Sequence, residues 1–286
     1  MEYNKLRIAI FKTSDLFDSL FNALKECDLT FNRENKYKIV CKNFPLEFVF
    51  VQPKDIPVFV EEGLADVGIL TEDIYEESLK RLSVKMFLPF NKYDLCISSL
   101  RSEIYEEITD LIDKKIATNY PNILNNFLID TKLQAHVITV TPGAMKLIPD
   151  SGMADAICDI IDTNSDSNNS DLKNIVKIKT YSELIIHKKN LLSWKMSILD
   201  DLCFRLKAVI KSNGNKYIVL NAPIDSLEYI STLMPGLQSP TYIKLYDPGW
   251  LSIQAVISED NFWEIIEQLK DAGGKDILVL PIEKMI

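Results

Sequence analysis

Apolar segments rich in β-branched residues alternate along the chain with segments whose apolar residues recur every three to four positions. The first segment, LRIAIF, is predicted to be a strand. The next, DLFDSLFNALKEC, is predicted to be a helix with one apolar face: Leu16, Leu20, Ala23, Leu24 and Cys27. A strand-to-helix turn is predicted at residues 12–14, where backbone N–H groups can face an anion. This alternation is typical of an α/β fold.

The same pattern predicts two lobes. Strands are predicted at EFVFVQ, ADVGIL and DLCISSL, with a short helix at IPVFVEEG. The alternation then begins again with KIATNYP, NILNNFL, AHVITV, PGAMKLIPDSG and ADAICDII. The strand SELIIHKK and the long amphipathic helix SWKMSILDDLCFRLKAVIKSNG follow, and Gly214 marks the end of that helix. We therefore predict lobe I at residues 1–100 plus 181–212 and lobe II at residues 101–180.

Residues 213–286 are predicted to form a separate domain. Their pattern is strand, helix, strand, strand, helix, strand: KYIVLNAP, DSLEYISTLM, TYIKLYD, WLSIQAVIS, EDNFWEIIEQLKDAG and KDILVLPI. This is the order of a ferredoxin-like domain.

Composition restricts the possible functions. The 286 residues are 47% hydrophobic and carry a net charge of −9, so neither nucleic acid nor an anionic membrane is an expected partner, and phosphate groups must be bound locally. The start has no signal-peptide pattern, and no segment approaches eighteen consecutive apolar residues, so a cytoplasmic location is predicted. The five cysteines are widely spaced without a CxxC pair, which predicts free core thiols, and two histidines cannot furnish a zinc cluster.

Four stretches resemble the long form of the ATP phosphoribosyltransferase family, and they are distributed along the chain from residue 54 to residue 284. They are KDIPVFVEEGLADVGI (54–69), IATNYPN (116–122), GMADAICDIIDT (152–163) and the run from NAPIDSLEYI at residue 221 to ILVLPIEK at residue 284. The resemblance implies a bilobal, periplasmic-binding-protein-like (type II) core with a ligand cleft, followed by an ACT-like regulatory domain.

The same resemblance implies a reaction and its partners. In this family, N1 of ATP attacks the anomeric carbon of phosphoribosyl pyrophosphate and expels pyrophosphate, with Mg²⁺ assistance, in the first step of histidine biosynthesis. Histidine is the implied feedback effector, and a homo-oligomer, a dimer or a hexamer, is the implied assembly. No catalytic nucleophile or base is evident in the sequence, because the chemistry depends on holding and aligning two large anions.

The resemblance places substrate binding at Lys12 and along the segment after the strand ADAICDII. The members of this second group are Asp159, Asp162, Thr163, Asn164, Ser165, Asp166 and Ser167. Asn164 and Asp171 replace family glycines and Asp166 replaces a threonine. A carboxylate near a phosphate dianion is repulsive by about 1 to 4 kcal/mol, so weak phosphate capture is expected. Further departures from the family pattern are Gln52, Thr71, Asp94 and Lys146.

The positions implied for histidine binding fit the family better. They are Asn221, Leu237, Ser239 and Thr241, whose amide and hydroxyl groups suit the ammonium and carboxylate of an amino acid. PGLQSPT can also be only a tight connection within the domain.

Alternatives remain open at this stage. The segment DTNSDSNNSD also fits a polar surface loop, and Asp155, Asp159 and Asp162 fit metal ligands less well than solvated or capping residues. The chain is either an active transferase or a catalytically impaired homologue that senses histidine or another amino acid. A cleft that has changed its ligand is a third possibility.

Overall fold

The computed structural model describes residues 5–100, 103–145, 147–162, 172–234, 240–259 and 262–286. Its contacts divide the chain into two compact units. The first extends to Leu199, and the second contains Ala23–Asp28 and Asp200–Ile286. The lobe and domain bounds given above stay predictions.

Lobe I is built on five strands and the helices that follow them. The strands are β1 (Leu6–Ile10), β2 (Phe31–Asn35), β3 (Lys38–Cys41), β4 (Leu46–Phe50) and β5 (Val67–Thr71), and the helices are α1 (Asp15–Glu26), α2 (Ile56–Glu61) and α3 (Glu72–Ser78). β1 is parallel to β4 and to β5, while β2 and β3 form an antiparallel hairpin. The predicted apolar face of α1 is buried throughout.

Lobe II contains three short strands and is joined to lobe I by two long ones. The strands are β6 (Ser83–Leu100), β7 (Lys115–Thr118), β8 (His136–Thr139), β9 (Ala156–Asp162) and β10 (Leu172–His187). The helices of this part of the chain are α4 (Pro121–Thr131), α5 (Pro142–Met145) and α6 (Ile148–Ser151), and the long helix α7 (Ser193–Ser212), which is predicted to belong to lobe I, follows β10. β7 is parallel to β8 and β9, whereas β6 is antiparallel to β9 and β10, and β10 also pairs with β5.

One ten-stranded sheet therefore runs through both lobes in the order β2-β3-β4-β1-β5-β10-β6-β9-β7-β8. Two strand predictions were too short, because DLCISSL is only the end of β6 and SELIIHKK overlaps only the end of β10. The omitted parts, such as SVKMFLPFNKY, mix charged and apolar residues without strict alternation, so periodicity does not reveal them.

The second sheet has the predicted ferredoxin-like order. Its elements are β11 (Asn215–Pro223), α8 (Leu227–Leu233), β12 (Thr241–Lys244), β13 (Trp250–Ser258), α9 (Phe262–Asp271) and β14 (Lys275–Pro281). The strand order β12-β13-β11-β14 is antiparallel throughout. Alternate residues of β11 and β13 are buried in one core with α8 and α9, including Ile218, Leu220, Ile253 and Leu269.

All five cysteines are buried and free, which confirms the prediction of core thiols. Among the described residues, no helix combines the length and apolar character needed to span a bilayer.

Gly68 sets the distance between α2 and β5. A Cβ atom at this position would come within 2.7 Å of the Ile56 side chain and 3.1 Å of the Val60 side chain, and within 3.0 Å of Ile186 on β10. Real Cβ atoms essentially never come closer than 3.0 Å to another heavy atom, so a methyl group here would force the Ile56 side chain to shift, and glycine permits the close packing of α2 on the sheet.

Glu47 joins three strands of lobe I through charge. It is 5% exposed, and its carboxylate accepts from Arg7 Nε at 2.6 Å and contacts Lys38 Nζ at 2.7 Å. Burial alone would raise the Glu47 pKa, but the hydrogen bonds from Lys38 and Arg7 outweigh burial and lower it. The folded state therefore favours the ionised form.

We expect Glu47→Gln to lower the free energy of unfolding by about 1–3 kcal/mol at neutral pH, since it removes the charge that two cations share. The lowered folded-state pKa means that this contribution is present above the unfolded pKa of about 4.3 and is lost as the pH falls through the folded value. Urea titrations between neutral and acidic pH measure the difference. Glu62→Gln, at an exposed position, is the control, and an equal effect of both variants would contradict the assignment.

Candidate functional site

Polar side chains from both lobes meet where the parallel strands end. Asp73 lies in the first turn of α3 after β5, Tyr120 follows β7, and Asp159 lies on β9. Asp73 and Tyr120 are 3% and 8% exposed, and their side chains are hydrogen-bonded to each other. In open α/β sheets, ligands bind outside the carboxyl ends of the strands, so this group marks the candidate cleft.

The environment of this group disfavours negative charge. Burial raises the pKa of Asp73, against hydrogen bonds from Thr71 and Tyr120. Burial raises the pKa of Asp159 as well, and the charge of Asp73 raises it further. The pKa of Tyr120 is raised by burial first and then by Asp73. A buried carboxyl group whose ionisation is opposed by a neighbouring carboxylate, as at Asp159, is suited to contact a cation or an N–H or hydroxyl donor.

A cavity of about 320 Å³ lies beside Tyr120, between α3 and the start of α4. Apolar side chains form much of its wall, namely Val58, Ile74 and Pro121. Lys54, Glu77 and Asn119 are among its polar lining residues. Asn119 is 5% exposed, and its Oδ1 has no hydrogen-bond partner among the described residues. An apolar cavity with a few polar groups is typical of a small-molecule site.

Lys12 is placed as predicted, in the turn between β1 and α1. Its Nζ lies 5.5 Å from the centroid of the Phe50 ring. Ser14 organises the turn, because its Oγ accepts from Phe17 N at 3.2 Å and donates to Phe11 O at 3.3 Å. The turn is thus capped by its own serine, and Lys12 is its cationic side chain.

Most of the predicted phosphate-binding segment, Thr163 to Ser167, lies outside the described residues, as does Lys146. The backbone of Asp162 ends β9 opposite Tyr93. Asp155, grouped with Asp159 and Asp162 as possible metal ligands, accepts instead from Lys115 N at 2.8 Å and Tyr105 Oη at 3.3 Å. It therefore fixes the start of β7.

Two of the residues that depart from the family pattern are satisfied locally. Thr71 hydrogen-bonds to Asp73. Asp94 accepts from Thr180 Oγ1 at 2.5 Å and pairs with Lys177 Nζ at 3.4 Å across the β6–β10 ladder. The extra carboxylate is thus partly neutralised by a lysine on the neighbouring strand.

Sequence reasoning missed further charged residues on β10. Lys179 pairs with Glu72 at 3.0 Å and with Glu76 at 2.8 Å, both on α3. Glu183 is 0% exposed and accepts from Asn91 N at 3.0 Å, Asn91 Nδ2 at 2.8 Å and Tyr93 Oη at 3.2 Å. These residues lie outside the quoted family stretches, and only the tertiary structure brings their partners together: the packing of α3 near β10 for Lys179, and the register of β6 and β10 for Glu183.

Two of the four predicted effector residues, Asn221 and Thr241, lie among the described residues. Asn221 pairs with Ser252 and Thr241 pairs with Gln254, so both lie on the sheet face opposite α8 and α9 and are separated by β13. Asn221 Nδ2 donates to Asp276 Oδ2 at 3.1 Å. Leu237 and Ser239 lie outside the described residues. The effector role of these residues stays a prediction.

Comparison with protein families gives two adjoining matches. The family model described as ATP phosphoribosyltransferase matches residues 52–208, and the model of the C-terminal domain of HisG matches residues 212–284. Similar proteins named ATP phosphoribosyltransferase occur in Cytophaga hutchinsonii, at 36% identity, and in Parabacteroides distasonis, at 38%. Each alignment covers 98% of this chain and at least 98% of the relative.

A solved structure supports the same fold. The ATP phosphoribosyl transferase (HisG:HisZ) complex from Thermotoga maritima contains a chain that aligns over all of its length with 73% of this chain. The identity is 23% and the TM-score is 0.61.

Proposed function

The chain belongs to the ATP phosphoribosyltransferase family, and we propose that it transfers the phosphoribosyl group of phosphoribosyl pyrophosphate to N1 of ATP. The observation that carries the proposal is similarity of 36–38% over 98% of the chain to proteins named for this activity. The reaction opens histidine biosynthesis.

The cleft suits a reaction that depends on alignment. The bond from the anomeric carbon to N1 forms while the bond to pyrophosphate breaks, so both substrates must be held in line. Lys12, after β1, supplies positive charge for a phosphate, and Asp73, Tyr120 and Asp159 offer polar contacts between the lobes. This division of roles supports substrate positioning without a covalent intermediate.

Mg²⁺ is proposed as an ion that arrives with the substrate phosphates. Among the described residues, no group of three or more histidine, cysteine, aspartate or glutamate side chains could hold a metal ion by itself. Asp73 and Asp159 provide carboxylate oxygens, which a hard cation prefers, but the Asp73 side chain is already hydrogen-bonded to Thr71 and Tyr120. Bound with the substrate phosphates, Mg²⁺ would neutralise charge on the departing pyrophosphate.

Regulation and assembly belong to the same proposal. We assign histidine binding to Asn221, Leu237, Ser239 and Thr241. The sheet face that carries Asn221 also presents Leu278, 59% exposed, and Leu280, 44% exposed. Exposed apolar residues on a sheet face fit a homo-oligomer contact. A cytoplasmic location remains part of the proposal.

The alternative of a catalytically impaired sensor is not favoured by the comparisons. The similarity spans both the catalytic and the C-terminal family models. The local pairing of Asp94 with Lys177 also weakens one of the electrostatic arguments for it.

We expect purified protein to release pyrophosphate when ATP, phosphoribosyl pyrophosphate and Mg²⁺ are all present, with an elevated KM for phosphoribosyl pyrophosphate because Asp166 repels its phosphate. A coupled pyrophosphate assay measures the rate. Omission of each substrate and of Mg²⁺ provides the controls. Absence of turnover at every donor concentration would reject the proposed function.

We expect the combined change Asn164→Gly, Asp166→Thr and Asp171→Gly to lower the KM for phosphoribosyl pyrophosphate at least about fivefold, because each kcal/mol of relieved repulsion is worth about that factor. Steady-state kinetics at saturating ATP test this. Ser170→Gly, which leaves the charge of the same segment unchanged, is the control. An unchanged KM would show that these residues do not contact the donor.

We expect excess histidine to raise the melting temperature of the protein, since a ligand that binds only the folded state stabilises it. Thr241→Val, which removes one hydroxyl, should reduce this shift. Thr232→Val, at an exposed position of the same domain, should retain it. Equal shifts in all three proteins would exclude Thr241 from the histidine site.

A further inference from the structure

The first turn of α4 is capped by a residue of the other lobe. The residue before this helix, Tyr120, provides no side-chain cap. The carboxylate of Glu77, on α3 in lobe I, takes this role. It accepts from Asn122 N at 3.0 Å and Ile123 N at 3.0 Å, while Glu77 O accepts from Asn122 Nδ2 at 2.9 Å. The free N–H groups of a helix in lobe II are thus satisfied from lobe I.

A second contact between the lobes lies beside the first. Lys54, which follows β4 in lobe I, donates from Nζ to Asn119 O at 3.0 Å in lobe II. Lys54 also acts electrostatically on Glu77. Together the two side chains hold the segment 119–123, and we call this set of contacts the interlobe clasp.

Two opposing effects act on the Glu77 carboxylate in the clasp. Burial raises the pKa of Glu77, and the hydrogen bonds from Ile123 and Asn122 oppose that rise. A carboxylate at a helix N-terminus gains charge-assisted hydrogen bonds. Glu77 is only half-buried, so water can reach its carboxylate and compete with the N–H groups of Asn122 and Ile123.

The clasp is directly connected to the candidate active site. Its central segment contains Tyr120, whose hydroxyl is hydrogen-bonded to Asp73. Asn119 and Glu77 both line the 320 Å³ cavity beside it. A shift of the start of α4 relative to α3 would therefore move Tyr120 and reshape the cavity.

We propose that Glu77 is a positioning residue, whose carboxylate caps α4 across the cleft and so sets the closure of the lobes around the substrates. This inference rests on the proposed function, because closure matters where two substrates must be aligned between lobes. Glu77 acts through the segment 119–123 and is not proposed to contact the reacting atoms.

The test compares Glu77→Gln and Glu77→Asp with wild type. Glutamine keeps the size of the side chain but lacks its charge, and aspartate keeps the charge but lacks its reach. In Glu77→Gln we expect hydrogen exchange at the amides of Asn122 and Ile123 to be about tenfold faster, with the last turn of α4 unchanged. The KM values for both substrates should rise about three- to tenfold while kcat changes less. Glu77→Asp should lie between Glu77→Gln and wild type.

Glu62→Gln, an exposed change of the same kind, should leave exchange and KM at wild-type values. Unchanged exchange in Glu77→Gln would overturn the cap, and faster exchange with unchanged KM would overturn the positioning role. The dissociation constant for ATP, measured by calorimetry, serves in place of KM if the wild type lacks turnover. Absence of turnover in the wild type would reject the proposed function, while hydrogen exchange and ATP binding would still decide the role of Glu77.

Discussion

The antiparallel ladder between β6 and β10 is the constraint on which the bilobal core depends. It extends from the pair Leu172 and Leu100 to the pair His187 and Ser83, and it is interrupted by four register shifts. β10 also borders β5 of lobe I and β6 also borders β9 of lobe II, so both lobes are built outward from one strand pair. Bulges increase local twist and bend a strand, which lets a continuous sheet serve two lobes. The cleft, its charged walls and the clasp all take their positions from this ladder.

The same ladder also provides partners for two carboxylates, those of Asp94 and Glu183. Asp94 is predicted to stand where the family has a basic residue; its carboxylate would be costly if it were isolated, but it faces Thr180 and Lys177 on β10. Glu183 is accommodated similarly by Asn91 and Tyr93 on β6. A buried carboxylate with several donors is stable where an unpaired one is not. Asp94 and Glu183 therefore each belong to a locally satisfied group of polar side chains on the β6–β10 ladder.

Much of the fold was predictable, and the site was predictable only in part. Helix α1, the parallel strands and the ferredoxin-like domain follow from periodicity, because one buried face dictates each pattern. The β2–β3 hairpin and the long extensions of β6 and β10 were missed, since their residues are largely polar or mixed. Lys12 was assigned through the family resemblance; its place in the turn after β1 is as predicted, and its role in substrate binding stays a prediction. Glu77, Lys177 and Glu183 were not, because their partners lie 40 or more residues away and only the tertiary register reveals them.

Gly68 differs from these polar positions because space, not charge, restricts which residue can stand there. At Asp94 a neighbouring strand supplies both a counter-ion and a hydroxyl group. No neighbour can supply empty space at Gly68, where Ile56, Val60 and Ile186 already surround the α-carbon. A methyl group added here would force at least one of these side chains to shift, and Ile56 and Val60 both belong to α2, the helix that Lys54 precedes. A residue without a side chain thus lets the helix beside Lys54 pack closely on the sheet.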